Sequence, residues 1–477
     1  MGLGPQLPVP AAASPGRPSS ALVTDSRPLG APVFAGAAGE LARSLARVVF
    51  VAPERLPVPP VQGGAVEHWI DEVARRLVAR GATVDVVSRP AVTGHAGLAG
   101  QTDLAACSSP SSSSCYSTVP IPWGRVMARL DRWRQGLAAG HPGRALAKAV
   151  VVGDYARGVR RTLQEREREQ ERELRRDPSR NPAPATVVAV HNDPVIAAWL
   201  AAGPRGARPP LLLHMHNDHL EHPVLRPLVR ALLPRTARVL FVSDHLRHRA
   251  AEAFPEHAHR MATVLNGTDT ERFRPAPRPG EDPARPFTFV FAGRLVPQKG
   301  VHVLLQAFAR VRAVRPSVRL LLAGSSFFDG APRTAHERDL RAQAAGLREA
   351  IAFTGFLPHD ELARRYAEAG AVVVPSVWAD PCPLVVLEAM ASGACVIASR
   401  TGGIPELIEH GRNGLLVPPG DAVALAAAML RCVDEADTRA RLAREARKAV
   451  LAHHTWDHVA AAVAAELARA TGNAQFR

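Results

Sequence analysis

Apolar residues fall into two spacings along this chain. Short runs rich in Val, Leu, Ile and Phe occupy 47–52, 83–87, 186–190, 211–213, 239–243, 287–292, 319–323, 351–353, 372–374 and 395–398. Longer amphipathic stretches lie between and after them, at 66–80, from Val301 onward, at 421–433, at 437–453 and from Trp456 onward. A short continuous apolar run predicts a strand buried on both faces, and a period of 3.6 predicts a helix with one buried face. Strands alternating with helices imply parallel sheets of the doubly wound α/β kind.

The pattern breaks where domains should end. Residues 1–45 are rich in Pro, Ala, Gly and Ser without periodicity and read as a disordered tail. Residues 93–119 are low in complexity, centred on Ser111 to Ser114, and read as a flexible insertion. Residues 122–176 turn helical and strongly basic, with Trp123 and Trp133 among arginines. Their first part is expected either to pack on the sheet or to lie on a membrane surface, and their Glu/Arg-rich end to be a solvated helix. Five prolines within 275–286 mark a linker, which separates a first domain (46–274) from a second (287–453).

Composition adds bounds. At 477 residues and 47% apolar, the chain can build two or three cores. No apolar run approaches the roughly 18 residues of a spanning helix, and no secretory segment is visible at the start. The five cysteines, Cys107, Cys115, Cys382, Cys395 and Cys432, are scattered, which argues against a disulfide framework or a zinc site and for a reducing, cytoplasmic compartment. The net charge of +15 comes almost wholly from arginine, since lysine occurs only at 148, 299 and 448. Base composition of the gene explains that bias, and attraction to an anionic membrane surface is the functional alternative. No nucleic-acid motif is present, so a nucleic-acid partner is not expected.

Candidate chemistry gathers at strand ends. The second domain opens with a strand followed by Gly293-Arg294-Leu295-Val296-Pro297-Gln298-Lys299-Gly300 and a helix. Two cations on one strand-to-helix loop suit a diphosphate, Arg as a fork and Lys as a point charge. Further on, 372–414 contains two more strand-to-helix junctions, with Asp380 and Glu388 around the first and Gly402, Gly403 and Glu406 at the second. Helix N-termini on one sheet edge attract anions, so the carboxylates there should accept hydrogen bonds from hydroxyls. The ligand these features imply has a diphosphate and neutral hydroxylated rings. In the first domain, Gly63-Gly64 precede a helix and permit close backbone approach or simply a tight turn. His191 ends one strand, and His214, His216 and His219 end the next. The latter three could bind a metal only if they converged, and no metal is expected.

Asp380, seven residues, Glu388, then Ala-Met-Ala-Ser-Gly and Gly-Gly-Ile-Pro-Glu resemble the signature of glycosyltransferase family 4, retaining nucleotide-sugar enzymes of the GT-B fold. The Gly-Arg-Leu…Lys-Gly run and Asn266-Gly267-Thr268-Asp269…Phe273 are similar to further motifs of that family. Asp380 stands where the family has Glu, and Cys382-Pro383 where it has Phe-Gly. The resemblance implies two Rossmann-like domains facing a cleft, with 454–472 crossing back onto the first. It implies transfer of a sugar from a nucleotide-diphosphate-sugar to an acceptor hydroxyl on a glycan, lipid-linked or small molecule, in envelope or surface polysaccharide or glycolipid synthesis. The alternative is a coat-assembly or sugar-nucleotide-binding protein of the same fold without turnover. Catalytic roles are implied for His191, Arg294, Lys299, Asp380 and Glu388. Donor contacts are implied for Gly63, Gly64, Gly293, Phe356, Leu384 and Val385 as well, with His216 a further cleft histidine. The absence of an Asp-x-Asp motif implies that no metal bridges the diphosphate and that no cofactor is needed. The expected location is cytoplasmic, or peripheral at the inner face of the membrane.

Overall fold

A computed structural model of the chain describes residues 47–53, 56–60, 64–90, 116–121, 129–130, 133, 142–176, 186–202, 209–276, 286–326 and 334–472. Gly63, the 1–45 tail, most of the 93–119 insertion and most of the 275–286 linker lie outside them. Thirteen strands among the described residues form two all-parallel sheets. The first contains β1 (Val48–Val51), β2 (Val84–Ser88), β3 (Ser117–Pro120), β4 (Val187–His191), β5 (Leu211–Met215), β6 (Arg238–Phe241) and β7 (Met261–Thr263), in the order β3-β2-β1-β4-β5-β6-β7. The second contains β8 (Thr288–Ala292), β9 (Arg319–Ala323), β10 (Ile351–Gly355), β11 (Ala371–Val374), β12 (Val396–Ser399) and β13 (Leu415–Val417), in the order β10-β9-β8-β11-β12-β13.

The helices alternate with these strands. The first domain carries α1 (Ala65–Ala79), α2 (Pro142–Arg176), α3 (Pro194–Ala201), α4 (Arg226–Leu232) and α5 (Asp244–Ala253). The second carries α6 (Val301–Val314), α7 (Ala335–Gln343), α8 (His359–Glu368), α9 (Leu384–Ala391), α10 (Ile404–Leu407), α11 (Ala422–Asp434) and α12 (Ala436–His453). The last helix, α13 (Trp456–Ala470), returns to the first domain. Its Val459, Val463 and Leu467 share an apolar cluster with Trp69, Ile70 and Leu77 of α1 and with Val48 and Phe50 of β1. Where the chain passes between domains, Thr268 N–H donates to His454 C=O at 2.9 Å, so the outgoing and returning segments are tied together.

Both faces of each sheet are covered, which is why the central strands read as unbroken Val/Leu runs. One expectation needs correction, and one alternative is decided. Ser117–Pro120 falls in the segment expected to be a flexible insertion, yet it pairs with β2 as the edge strand. An edge strand half in solvent needs no continuous apolar run, so its Ser/Pro composition hid it. The apolar side of α2 packs on the first sheet, with Val152, Tyr155 and Val159 against Val49, Val51 and Val188. That face is therefore not available to a membrane surface. No described helix is long and apolar enough to cross a membrane. Cys382, Cys395 and Cys432 are free and buried.

In each sheet one strand has neighbours that lead in opposite chain directions: β1 between β2 and β4, and β8 between β9 and β11. Connections leave such a pair on opposite faces, opening a crevice at the carboxyl ends. The next residues after β4, β8 and β11 are therefore where ligand chemistry belongs.

Candidate functional site

The loop after β8 holds Gly293 and Arg294 and then a single turn, Pro297–Lys299, before α6. Gly300 caps α6 with φ +70°, and a Cβ there would sit 1.9 Å from the Pro375 carbonyl. Glycine is required because the two loops of the second sheet touch backbone to backbone at this point. Val377 N–H donates to Gln298 C=O at 2.9 Å, extending the seam. The contact delivers Lys299 to Asp380: Nζ lies 2.5 Å from Oδ2, and Ser376 Oγ donates to the same oxygen at 3.1 Å. Trp378 flanks the ammonium, its ring centre 5.9 Å away. Gly403 N–H donates to Asp380 C=O at 2.9 Å, tying in the junction after β12.

The two candidate cations differ in state. Lys299 is paired, while Arg294 is exposed and makes no side-chain hydrogen bond or ion pair among the described residues. The N-termini of α6 and α9, capped by Gly300 and Pro383, receive no side-chain hydrogen bond. Their leading N–H groups, including those of Leu384 and Val385, stay open to an anion. By contrast α3, α5, α7, α11 and α13 are capped by the side chains of Asp193, Ser243, Thr334, Asp421 and Thr455.

Glu388, one turn into α9, is 5% exposed, and its carboxyl makes no hydrogen bond or ion pair among the described residues. Burial pushes its pKa up to about 7, with the Arg272 guanidinium pulling the other way. Tyr366 of α8 lies near enough that the Glu388 charge adds to the effect of burial in holding its phenol well above the usual range. A buried carboxyl without protein donors is costly unless a ligand supplies them. Phe356, just past β10, is partly exposed at the same edge.

The first domain presents a different surface. His191 is 1% exposed at the end of β4, and its Nδ1 lies 3.3 Å from His216 Nε2. Asn192 adopts φ +57°, a left-handed conformation that Asn tolerates better than most residues, and its Oδ1 accepts from His216 N–H at 3.1 Å. His214 stacks beside them, with Trp69 of α1 edge-on at 4.5 Å from it and 5.1 Å from His191. Burial, and then the neighbouring His216, hold His191 and His214 well below the usual histidine range, and burial brings His216 down to about 3. All three rings are thus neutral at pH 7. Their ligand atoms lie within 4.8 Å of one another, so the grouping with metal-ligand spacing is His191, His214 and His216, in place of the 214, 216 and 219 set read from the sequence. Gly64 caps α1 on the same side of the molecule.

The structure therefore brings Lys299 and Asp380 into contact, with Arg294 on the same loop as Lys299 and Glu388 in the helix that follows the Asp380 loop. It adds Ser376, Trp378 and Arg272, which carried no signal of their own in the sequence, and it groups His214 with His191 and His216.

Residues 274–449 match the family model of the glycosyl transferases group 1. The second domain belongs to the group 1 glycosyl transferases. Among curated proteins, a putative glycosyltransferase of Bacillus subtilis (strain 168), YtcC, is 26% identical over 288 residues, covering 57% of this chain and 70% of that protein. The GDP-mannose-dependent alpha-(1-6)-phosphatidylinositol monomannoside mannosyltransferase of Mycobacterium tuberculosis is 31% identical over 259 residues, covering 51% of this chain and 64% of that protein. The chain thus spans about two thirds of the length of these relatives. Among solved structures, sucrose-phosphate synthase from Thermosynechococcus elongatus superposes with a TM-score of 0.64 at 20% identity, over 90% of this chain and all of that one. That likeness gives the fold: two Rossmann-like domains facing a cleft, the GT-B architecture. The matched segment contains Lys299, Ser376, Trp378, Asp380 and Gly403, the residues that meet around the ion pair.

Proposed function

We propose that the protein transfers a glycosyl group from a nucleotide-diphosphate-sugar to an acceptor hydroxyl, with retention at the anomeric carbon and with no metal on the diphosphate. The carrying observation is the pairing of an unpartnered buried carboxyl, Glu388, with a cation site a short way along the same edge. Arg294, Lys299 and the open N-termini of α6 and α9 offer positive charge to the leaving diphosphate. Stabilisation there counts most where bond breaking runs ahead of bond making. Two ribose hydroxyls would supply the donors that Glu388 lacks. Asp380, released when the diphosphate takes over Lys299, would accept a hydroxyl of the donor sugar. Retention requires the acceptor to approach on the face the diphosphate leaves, and the neutral His191–His216 pair would line that approach without attracting the anion.

The nucleotide-sugar named for the mycobacterial relative supports this donor class. The acceptor is proposed only as a glycan, lipid-linked or small-molecule hydroxyl, in envelope or surface glycan synthesis. The test is a thermal-shift panel of nucleoside diphosphates and nucleotide-sugars with and without EDTA, followed by a donor-hydrolysis assay. One diphosphate series should raise Tm, since a ligand that binds the native state stabilises it. EDTA should change nothing. Binding without any hydrolysis or transfer would favour a binding protein, and no response to any nucleotide would reject the reading.

A further inference from the structure

Glu406 has no place in the chemistry above, yet both of its carboxylate oxygens bond across the boundary between the two domains. It projects from α10 in the second domain. Its Oε2 accepts from Asp244 N–H at 2.7 Å and its Oε1 from His245 N–H at 2.8 Å, at the N-terminus of α5 in the first domain. A helix start leaves four N–H groups without intrahelical partners. In α5 these begin at the capping residue Ser243, whose hydroxyl takes Leu246 N–H at 3.3 Å, while its carbonyl accepts the first intrahelical bond, from Arg247 N–H at 3.1 Å. The N–H groups of Asp244 and His245 are satisfied across the domain boundary. Carboxylate-to-amide bonds at a helix N-terminus are charge-assisted and favoured by the dipole.

Geometry around the contact is equally committed. A Cβ on Gly403 would sit 1.8 Å from Pro381 C=O and 2.8 Å from Ser243 Cβ, so this edge closes only because the residue is glycine. Asp244, whose charge would repel Glu406, is turned aside: Arg247 Nε and Thr263 Oγ1 both bond its Oδ1, at 2.7 and 2.6 Å. On the other side of the Asp380 loop, Asn266 Nδ2 donates to Cys382 C=O at 2.8 Å. The loop carrying Asp380 is thus held between two interdomain contacts, and Gly403, three residues before Glu406, bonds to Asp380 itself.

We propose that Glu406 is a positioning residue, an interdomain latch that holds the cleft closed and sets the Asp380 loop against the first domain. Its kinetic consequence rests on the transfer reading, but its structural consequence does not. The experiment compares wild type, Glu406→Ala and Glu406→Gln by amide hydrogen exchange, small-angle scattering and steady-state kinetics. In Glu406→Ala, exchange at Asp244 and His245 should rise at least tenfold and the radius of gyration should increase. Glu406→Gln, which keeps one acceptor of the right reach, should fall between. For transfer, kcat should drop about tenfold in Glu406→Ala while affinity for the free nucleoside diphosphate stays within twofold, because the proposed nucleotide contacts lie almost wholly on the second domain. Unchanged exchange at both amides, or an unchanged kcat with normal exchange elsewhere, overturns the latch. Absence of nucleotide binding in the wild type would sink the transfer reading alone, since exchange and scattering still decide the latch.

Discussion

The two walls of the cleft handle charge in opposite ways. The second domain exposes Arg294, pairs Lys299 with Asp380 and buries Glu388 without a partner. The first presents three imidazoles that burial keeps uncharged, packed against Trp69. Both sheets have the same strand order around their central pair, so fold alone does not account for the difference. It lies in what the strand-end loops carry. Among the described residues, one wall carries a free cation, an ion pair and a buried carboxyl, and the other carries buried, uncharged rings.

The contrast breaks most visibly at Lys299. Lys299→Ala should lower kcat/KM at least about a hundredfold, on the scale of losing one transition-state charge contact. Steady-state kinetics with saturating acceptor measures this, and near-wild-type turnover would remove Lys299 from the mechanism. Glu388→Ala comes next: affinity for the free nucleoside diphosphate should weaken about tenfold or more, the range of hydrogen bonds to a charged group. Calorimetric titration checks it, and an unchanged Kd would contradict a ribose contact.

A pH series sharpens the same point. Ribose hydroxyls favour ionised Glu388, so wild-type nucleotide affinity should rise as pH passes from 6 to 8 through the pKa of about 7, and Glu388→Gln should flatten the rise. For folding the sign is reversed. The folded-state pKa lies above the ordinary 4.5, so burial of the ionised form destabilises the protein increasingly as pH climbs from about 4.5 through 7. Glu388→Gln should therefore raise Tm at pH 8 and leave it unchanged near pH 4. The smallest effect belongs to the first wall. Histidine NMR signals of His191, His214 and His216 should show no titration between pH 5 and 8, and a midpoint near 6.5 for any of them would erase the distinction drawn between the walls.

Much of the charged wall was legible from residue order. Arg294, Lys299 and Asp380 each follow a strand end within one loop, Glu388 lies in the helix after that loop, and strand ends are visible as Val/Leu runs. What could not be read is which loops meet. Lys299 and Asp380 are 81 positions apart, and no local spacing announces their ion pair. His191 joins residues 23 and 25 positions away on the neighbouring strand, which parallel pairing of β4 and β5 permits but local spacing does not announce. Glu406 and Asp244 are 162 apart, and the Gly-Gly-Ile-Pro-Glu run reads as a helix start and a family motif without announcing a contact to the other domain. Edge strand β3 was missed for the reason its composition allows: one unburied side leaves no periodic signal. Local pattern records how deeply a residue is buried, and long-range pairing is decided by topology.

The hydrogen bond between Thr268 and His454 joins the only two places where the described chain passes between its halves. With both passes fastened side by side, the second half is hinged at one place on its rim, as a door is held at its jamb, and the Glu406 contact is its bolt. With that bolt drawn it can swing toward its neighbour or away, but twisting about the joint would shear the Thr268 bond. The gap should therefore open as a wedge, narrowest at Thr268 and widest at the far rim.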